Sequence, residues 1–521
     1  QGAPYLLLPG TSAQSMKAPD LSKQGVKDAY GKFPAEKFGQ AAGDLGATVS
    51  DVVANAGDTS GWTNFSYIVD TPAGKIVLGD VGDTTHDPSS NASLAGGIAV
   101  IIDAGGSDTY RVPAGANTSP DNGVSLAVDL GGDDTYAYDK AGDPKDTSNL
   151  LTSDGDGRRA AAGPSSGPVS LSTTARQGAG RVGIGMLIDY GKSKDTYESL
   201  RMSQGAAIFG VGLLFDAGGN DGYTAEAHAQ GAALGGLGVL WSAGGPDDYK
   251  IWHAGQGFGS ASGTGLLVDR GGADGYEAVP GQAGGTGILY ASPADKGASN
   301  RNLAQGASAG VASDAMTTGL AGGYGLLRDS AGKDSYTAAT YAQGYGTVRG
   351  IGILSDGAGN DTYSARRIVQ GAGQIFGGGI LFEGGGNDIY NENADRRRDS
   401  QGFGEAYGWG VLRDVNGQDE VYYGNPGGGL GFDGGFGFAF FEKGKDTHDL
   451  GSRSGWGVAK NSTSMGDTLY GALTVGVFVD GGLSNDNYKR PNIGSTGIGN
   501  DKTWKQPDPS TDVEKGVGVD E

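Results

Sequence analysis

Between Gly210 and Asp216 the chain alternates in character. On an extended strand this places Gly210, Gly212, Leu214 and Asp216 on one face and Val211, Leu213 and Phe215 on the other. The first face recurs almost unchanged as Gly183, Gly185, Leu187, Asp189 and as Gly350, Gly352, Leu354, Asp356. It is assigned inward. Its glycines let opposing backbones approach closely, which predicts a thin structure. The other face varies but is often apolar: Ile184, Met186, Ile188; Leu237, Val239, Trp241; Trp409, Val411. A strand apolar on both faces is usually buried on both. Inserted segments, the N-terminal region or a neighbouring subunit are therefore expected to cover the outer face.

Each strand belongs to a repeat: Q-G, a few small residues, G-x-G-x-L-x-D, then x-G-G-x-D-x-Y. The closing tyrosines set the period. Tyr197, Tyr223, Tyr249 and Tyr276 are 26, 26 and 27 residues apart, and Tyr336, Tyr363 and Tyr390 are 27 and 27 apart. Such a unit lacks helical periodicity and is too short for a crossover helix with strands. Two or three short strands joined by Gly turns fit it. Stacked in parallel, these units predict an all-β fold, a right-handed parallel β-solenoid. About thirteen coils at about 4.8 Å each give a rod of roughly 60 Å.

The repeats span about 95–450, with insertions at 137–176 and 291–320 that read as excursions from one face. Residues 451–489 hold a degenerate terminal repeat, and 490–521 form a polar tail or exchanged arm. Residues 1–94 form a small, partly helical N-terminal region, a cap or assembly arm, with the helical character between Ala13 and Ala54. Gln177, Gln204, Gln230, Gln256 and Gln282 keep the same period, followed by Gln305, Gln343, Gln370 and Gln401. Stacking predicts an amide ladder in which each side chain bonds the next coil.

Composition sharpens this reading. Glycine is 103 of 521 residues without a strict every-third period, which excludes collagen. The net charge of −22 repels nucleic acid and anionic membranes and attracts divalent cations. With no cysteine, disulfides, thiolate catalysis and Cys-type zinc sites are excluded. No apolar run reaches the roughly 18 residues of a membrane span. The start at Gln1 is that expected of a processed secreted protein, and an extracellular or cell-surface location follows as an expectation.

The turn D-x-G-G-x-D-x-Y brings two carboxylates together. The pairs are Asp103/Asp108, Asp129/Asp134, Asp189/Asp195, Asp216/Asp221, Asp269/Asp274, Asp329/Asp334, Asp356/Asp361, Glu383/Asp388 and Asp414/Asp419. Asp480/Asp486 is a further pair, and one copy replaces the first Asp by Ser242 and keeps Asp247. Stacking turns these into two columns of like charge. Neighbours at 4.8 Å repel by roughly 3 kcal/mol at an effective dielectric near 20. Bound cations, backbone N–H donors and protonation are the three remedies. Ca2+ suits carboxylate and carbonyl oxygens. The alternative is that each Asp only caps its own turn.

Gly357-Ala358-Gly359-Asn360-Asp361-Thr362-Tyr363 and Gly384-Gly385-Gly386-Asn387-Asp388-Ile389-Tyr390 resemble the G-G-x-G-x-D-x-U nonapeptide of haemolysin-type (RTX-like) calcium-binding repeats. The resemblance implies a secreted parallel β-roll with Ca2+ between successive turns, and Asp221, Asp274, Asp361 and Asp388 match its Asp best. That family repeats every nine residues and this chain every 26 or 27, so the inference is a related turn in a different solenoid.

Enzyme signatures are sparse. His228 and His253 precede consecutive Q-G steps and are candidates for a base or metal ligand. Arg366-Arg367 and Arg396-Arg397-Arg398 are candidates for a basic patch that binds an acidic polysaccharide or another subunit, or for plain solvated charge. No P-loop, dinucleotide fingerprint, H-E-x-x-H or G-x-S-x-G elbow is present. The expectation is a non-enzymatic, calcium-stabilised structural protein that self-assembles into a surface layer, sheath or fibre. An adhesin or carbohydrate-binding protein, favoured if Trp241, Trp252 and Trp409 line one exposed face, and a Ca2+-dependent polysaccharide lyase are the alternatives.

Overall fold

The computed structural model describes residues 34–55, 59–118, 122–138, 158–159, 169–170, 172, 174–281, 287–311, 320–391, 401–423, 428–449, 456–460, 473–482, 486–489, 503–505 and 514–520. Most of the 137–176 insertion, part of the 291–320 insertion, Gln282 and Arg396 to Arg398 lie outside them.

One coil shows how the repeat folds. Gln204 and Gly205 turn the chain through the left-handed region, with φ of 52° and 72°. A long strand follows over Ala207–Asp216, then a Gly turn, then a short strand over Gly222–Ala227. The next coil lies parallel and in register. Gly212 pairs with Gly238, Leu214 with Leu240, Asp216 with Ser242 and Tyr223 with Tyr249. Repetition gives an all-β parallel β-solenoid of about twelve turns, one fewer than the sequence count.

Two sheets run its length. The long-strand sheet extends from Gly74–Leu78 to Glu514–Asp520 and the short-strand sheet from Thr85–His86 to Asn487–Lys489. A third, three-stranded sheet holds Arg301–Ala304, Thr340–Ala342 and Arg367–Val369. The long-strand sheet does not end on an open parallel edge. Tyr67–Thr71 pairs antiparallel with Gly74–Leu78 at one end, and Thr503–Lys505 pairs antiparallel with Glu514–Asp520 at the other.

The inward assignment holds. Leu187, Leu214, Leu240, Leu267, Leu327, Leu354, Leu381 and Leu412 form a fully buried column. The inward glycines make the rod thin: a Cβ on Gly212 would lie 2.0 Å from the Ala206 carbonyl oxygen. Opposite the leucines stand nine stacked tyrosines, from Tyr110 through Tyr136, Tyr197, Tyr223, Tyr249, Tyr276, Tyr336 and Tyr363 to Tyr390. Adjacent ring centroids are 4.6–5.0 Å apart, the coil spacing itself.

The N-terminal region supplies part of the outer cover. Helix α1, Ala35–Asn55, carries Phe38, Ala42, Leu45, Val49 and Val53 at helical spacing along one side. These pack on Leu126, Val128, Ile184, Met186, Ile188 and Val211, and the cluster reaches Leu237.

The glutamines do not form the expected amide ladder. Gln204 Nε2 donates to the carbonyl oxygens of Tyr197 in the preceding coil and Thr224 in its own, at 2.9 and 3.2 Å. Gln230 does the same with Tyr223 and Lys250. The left-handed backbone at each described Gln of the series aims the amide across the turn at the short-strand ends.

Candidate metal centre in the carboxylate columns

The first carboxylate of each turn closes a long strand, and its inward register leaves it buried. Asp103, Asp129, Asp189, Asp216, Asp269, Asp329, Asp356, Glu383 and Asp414 are all at most 1% exposed. One oxygen accepts the backbone N–H two residues on, as predicted for an Asx-type turn. Asp189 takes it from Gly191 and Asp216 from Gly218, both at 2.8 Å, and Asp269 from Gly271 at 3.0 Å.

The other oxygen accepts a phenol from the tyrosine stack. Tyr136 donates to Asp189 at 2.9 Å, Tyr197 to Asp216 at 2.8 Å, Tyr249 to Asp269 at 2.7 Å, Tyr276 to Asp329 at 2.7 Å, Tyr336 to Asp356 at 2.6 Å and Tyr390 to Asp414 at 2.8 Å. Tyr110 and Tyr363 donate likewise to Asp129 and Glu383. Asp103 instead meets His86 Nε2 at 2.9 Å, and His86 stacks on Tyr110 as a terminal rung. His448 does the same work near the far end, 2.9 Å from Asp480. The sequence reading missed these phenols. The signal was present: Tyr stands two residues after the second Asp in nearly every copy.

The second carboxylates form a ladder of their own. The backbone N–H of Asp134 donates to Asp195 Oδ1, Asp195 to Asp221, Asp221 to Asp247, Asp247 to Asp274 and Asp274 to Asp334, at 2.6–2.8 Å. The chain of bonds continues through Asp361, Asp388, Asp419 and Asp446. It also begins earlier, with Asp108 N–H on Asp134 Oδ1. These contacts account for one oxygen per residue. The second is another matter. Oδ2 of Asp108, Asp134, Asp195, Asp221, Asp274, Asp334, Asp361 and Asp388 is buried with no hydrogen-bond donor among the described residues.

These oxygens face the first column. Oxygens of Asp108, Asp129 and Asp134 lie within 4.8 Å of one another, as do those of Asp134, Asp189 and Asp195, of Asp195, Asp216 and Asp221, and of Asp247, Asp269 and Asp274. Asp446 and Asp480 form a similar group with His448. Burial first, and then the charge of the facing carboxylates, pushes the acids up: Asp361 to about 8, and Asp195, Asp274 and Asp419 also strongly upward. Burial likewise pushes Asp334 and Asp446 up to about 7. A row of dry, ionised carboxylates is therefore not stable by itself.

The buried Asp clusters could hold a metal ion. Their donor set fits a hard cation: in the groups that contain Asp129, Asp189, Asp216 and Asp269 every ligand atom is a carboxylate oxygen. In the groups that contain Asp108, Asp134, Asp195, Asp221 or Asp274, the unpartnered Oδ2 of that residue and the facing oxygen of the first column are the atoms that would hold it.

The other candidates are placed elsewhere. His228 and His253 meet edge to face at 6.2 Å, and His253 Nδ1 lies 2.6 Å from the Arg301 carbonyl oxygen. Burial pushes His228 down to about 3, which keeps its imidazole neutral. Arg367 donates to the Ala294 carbonyl oxygen. Trp252 is buried, while Trp241 and Trp409 sit half-buried on the outer long-strand face. No family model, curated protein or solved structure matches this chain.

Proposed function

We propose that this chain is a secreted structural protein: a rigid rod stabilised by Ca2+ that self-assembles into a surface layer, sheath or fibre. One observation carries the calcium reading. Eight second-column carboxylates keep a buried oxygen without a donor, each beside another carboxylate. Where Ser242 replaces the first Asp, Asp247 Oδ2 instead accepts from the Ser242 hydroxyl at 2.8 Å and from Tyr249 at 3.2 Å. Eight of the nine acidic pairs from Asp103/Asp108 to Asp414/Asp419 thus keep an unmet oxygen and the Ser242 turn does not, which supports a cation between the paired carboxylates. A divalent ion with 6–8 oxygen ligands would neutralise two neighbouring carboxylates at once.

The test is thermal unfolding and particle size with Ca2+ and then with EGTA. A lower melting temperature and smaller particles on chelation are expected. If neither changes, the clusters are proton-sharing turn caps and calcium leaves the account.

A groove favours a second reading, a carbohydrate-binding surface protein. It encloses about 440 Å³ on the short-strand sheet, over Gly222 and Gly275, and presents Thr224, Asp248, Lys250, Glu277, Ser335 and Thr337. Hydroxyl and charged groups at coil spacing suit a glycan chain lying along the rod. Saturable glycan binding lost in Thr224→Trp, which would fill the groove, would establish it.

A further inference from the structure

The long-strand face is dressed unevenly. Helix α1 covers it as far as Leu237. Beyond lie eight strands, from Gly259–Asp269 to Glu514–Asp520, and among the described residues no helix lies over their outward columns. Those columns carry Leu266 and Val268, then Ile353, Ile380 and Phe382, then Val411, Phe438 and Phe440, and finally Val477 and Val479, all half-buried. The surface is also flat: the Trp409 indole lies across Gly378, where a Cβ would meet the ring at 2.1 Å. In a chain with 60 Asp and Glu, none of the outward side chains described on these strands is acidic, and Arg328 and Arg413 are the cations among them.

We propose that a second copy of this chain covers this face, with the two solenoids antiparallel. The proposal rests on the self-associating role above and names its surface. Eight strands at about 4.8 Å, each about 20 Å long, offer roughly 700 Å² per copy. That approaches the roughly 800 Å² per partner of a stable interface. The interface would continue the packing α1 already makes on the same columns.

The helix also decides the orientation. Facing sheets pack about 10 Å apart, and a helix is about 10 Å thick. With the solenoids parallel, the two α1 helices would meet at the same end and hold the sheets apart. With them antiparallel, each helix lies beyond the end of the overlap, and the bare faces close on each other. The middle of the bare face falls between Ile380 and Val411, which pair in adjacent strands. A two-fold axis there sets Val411 of one copy against Ile380 of the other.

The absence of cysteine makes a direct test possible. Ile380→Cys and Val411→Cys variants of the full chain are mixed and mildly oxidised. Mixed disulfide dimers are expected to exceed the two homodimers combined, which random pairing of an equimolar mixture does not give. Phe438→Glu is expected to weaken dimerisation at least about tenfold, read by sedimentation, with an unchanged melting temperature. A strict monomer at about 100 µM would overturn the proposal, since a specific interface of this size binds more tightly. So would disulfides formed chiefly between equivalent Val411→Cys sites, or a thiol at 411 shielded from maleimide in a monomer, which would mean that the chain covers its own face. A dimer that persists while EGTA leaves the melting temperature unchanged would refute calcium and keep the pairing. A monomer whose melting temperature still depends on Ca2+ would do the reverse.

Discussion

Two neighbouring turns of the rod, 216–223 and 242–249, differ at three positions, and one of these, Asp216 against Ser242, makes them solve the same electrostatic problem differently. In one, Asp216 accepts from Gly218 N–H with one oxygen and from Tyr197 and Tyr223 with the other, and Asp221 Oδ2 is left without a donor. In the next, Ser242 accepts the equivalent N–H from Gly244 at 3.3 Å and donates its own proton to Asp247. The backbone, the phenol stack and the N–H ladder pass through both. A hydroxyl can both accept and donate, whereas an ionised carboxylate only accepts. The acidic pair therefore needs a proton or a cation from outside, and the Ser–Asp pair does not.

The largest way to break this comparison is to remove both outside partners. Asp334 and Asp446 are raised to about 7 and Asp361 to about 8, against an ordinary 3.8. The folded state keeps these protons where the unfolded chain has lost them. Their contribution is fully present below about pH 4 and is lost as pH rises through 7 to 8. Each group shifts stability by up to about 1.4 kcal/mol per pH unit in that window. In EGTA the melting temperature should fall steeply from pH 5 to pH 9. With Ca2+ present the fall should be much shallower. Equal slopes would remove the cation from the argument.

A single pair can be opened next. Asp216→Ala strands the buried Tyr223 phenol and the Gly218 N–H, leaves Tyr197 only its 3.3 Å contact with Asp189, and should cost about 3–5 kcal/mol by urea unfolding. Asp216→Ser copies the neighbouring turn and should cost only about 1–2 kcal/mol. If the two cost the same, the serine hydroxyl is not the equivalent claimed for it. Tyr276→Phe, which removes one donor to Asp329, should cost about 1–2 kcal/mol.

Periodicity along the chain made the solenoid, the inward Leu–Asp face and the pairing of the carboxylates legible before any coordinates. Alternation and register are properties of spacing, and spacing is written in the sequence. Side-chain direction at a bend is not. Each described Gln of the repeat series sits at positive φ, so its amide turns into the coil, where that of Gln204 finds carbonyl oxygens rather than the next amide. Nor did spacing show that the phenols meet the first column, because that contact joins residues on different coils, 19 apart in Tyr197 with Asp216 and 53 apart in Tyr136 with Asp189. The helix over one half of the outer face was foreseen only as an unspecified cover. Its apolar side must match columns that exist only after the coils have stacked.

The smallest effect is the most discriminating, because its sign is what matters. Ser242→Asp would supply the missing first carboxylate at a turn that lacks an acidic pair. Ser242 lies in register between Asp216 and Asp269, so the neighbouring coils already accommodate a carboxylate there. The substitution takes the hydroxyl donor from Asp247 and adds a charge beside it. In EGTA near neutral pH it should destabilise the fold by about 1–2 kcal/mol, the cost of an unmet buried oxygen. In Ca2+ the new pair gains a ligand set like that of its neighbours. The loss should then vanish or reverse, and calorimetry should count additional bound Ca2+. Destabilisation of equal size in both buffers would mean that the acidic pairs hold protons alone, and that Ser242 and its neighbours differ only in how they donate.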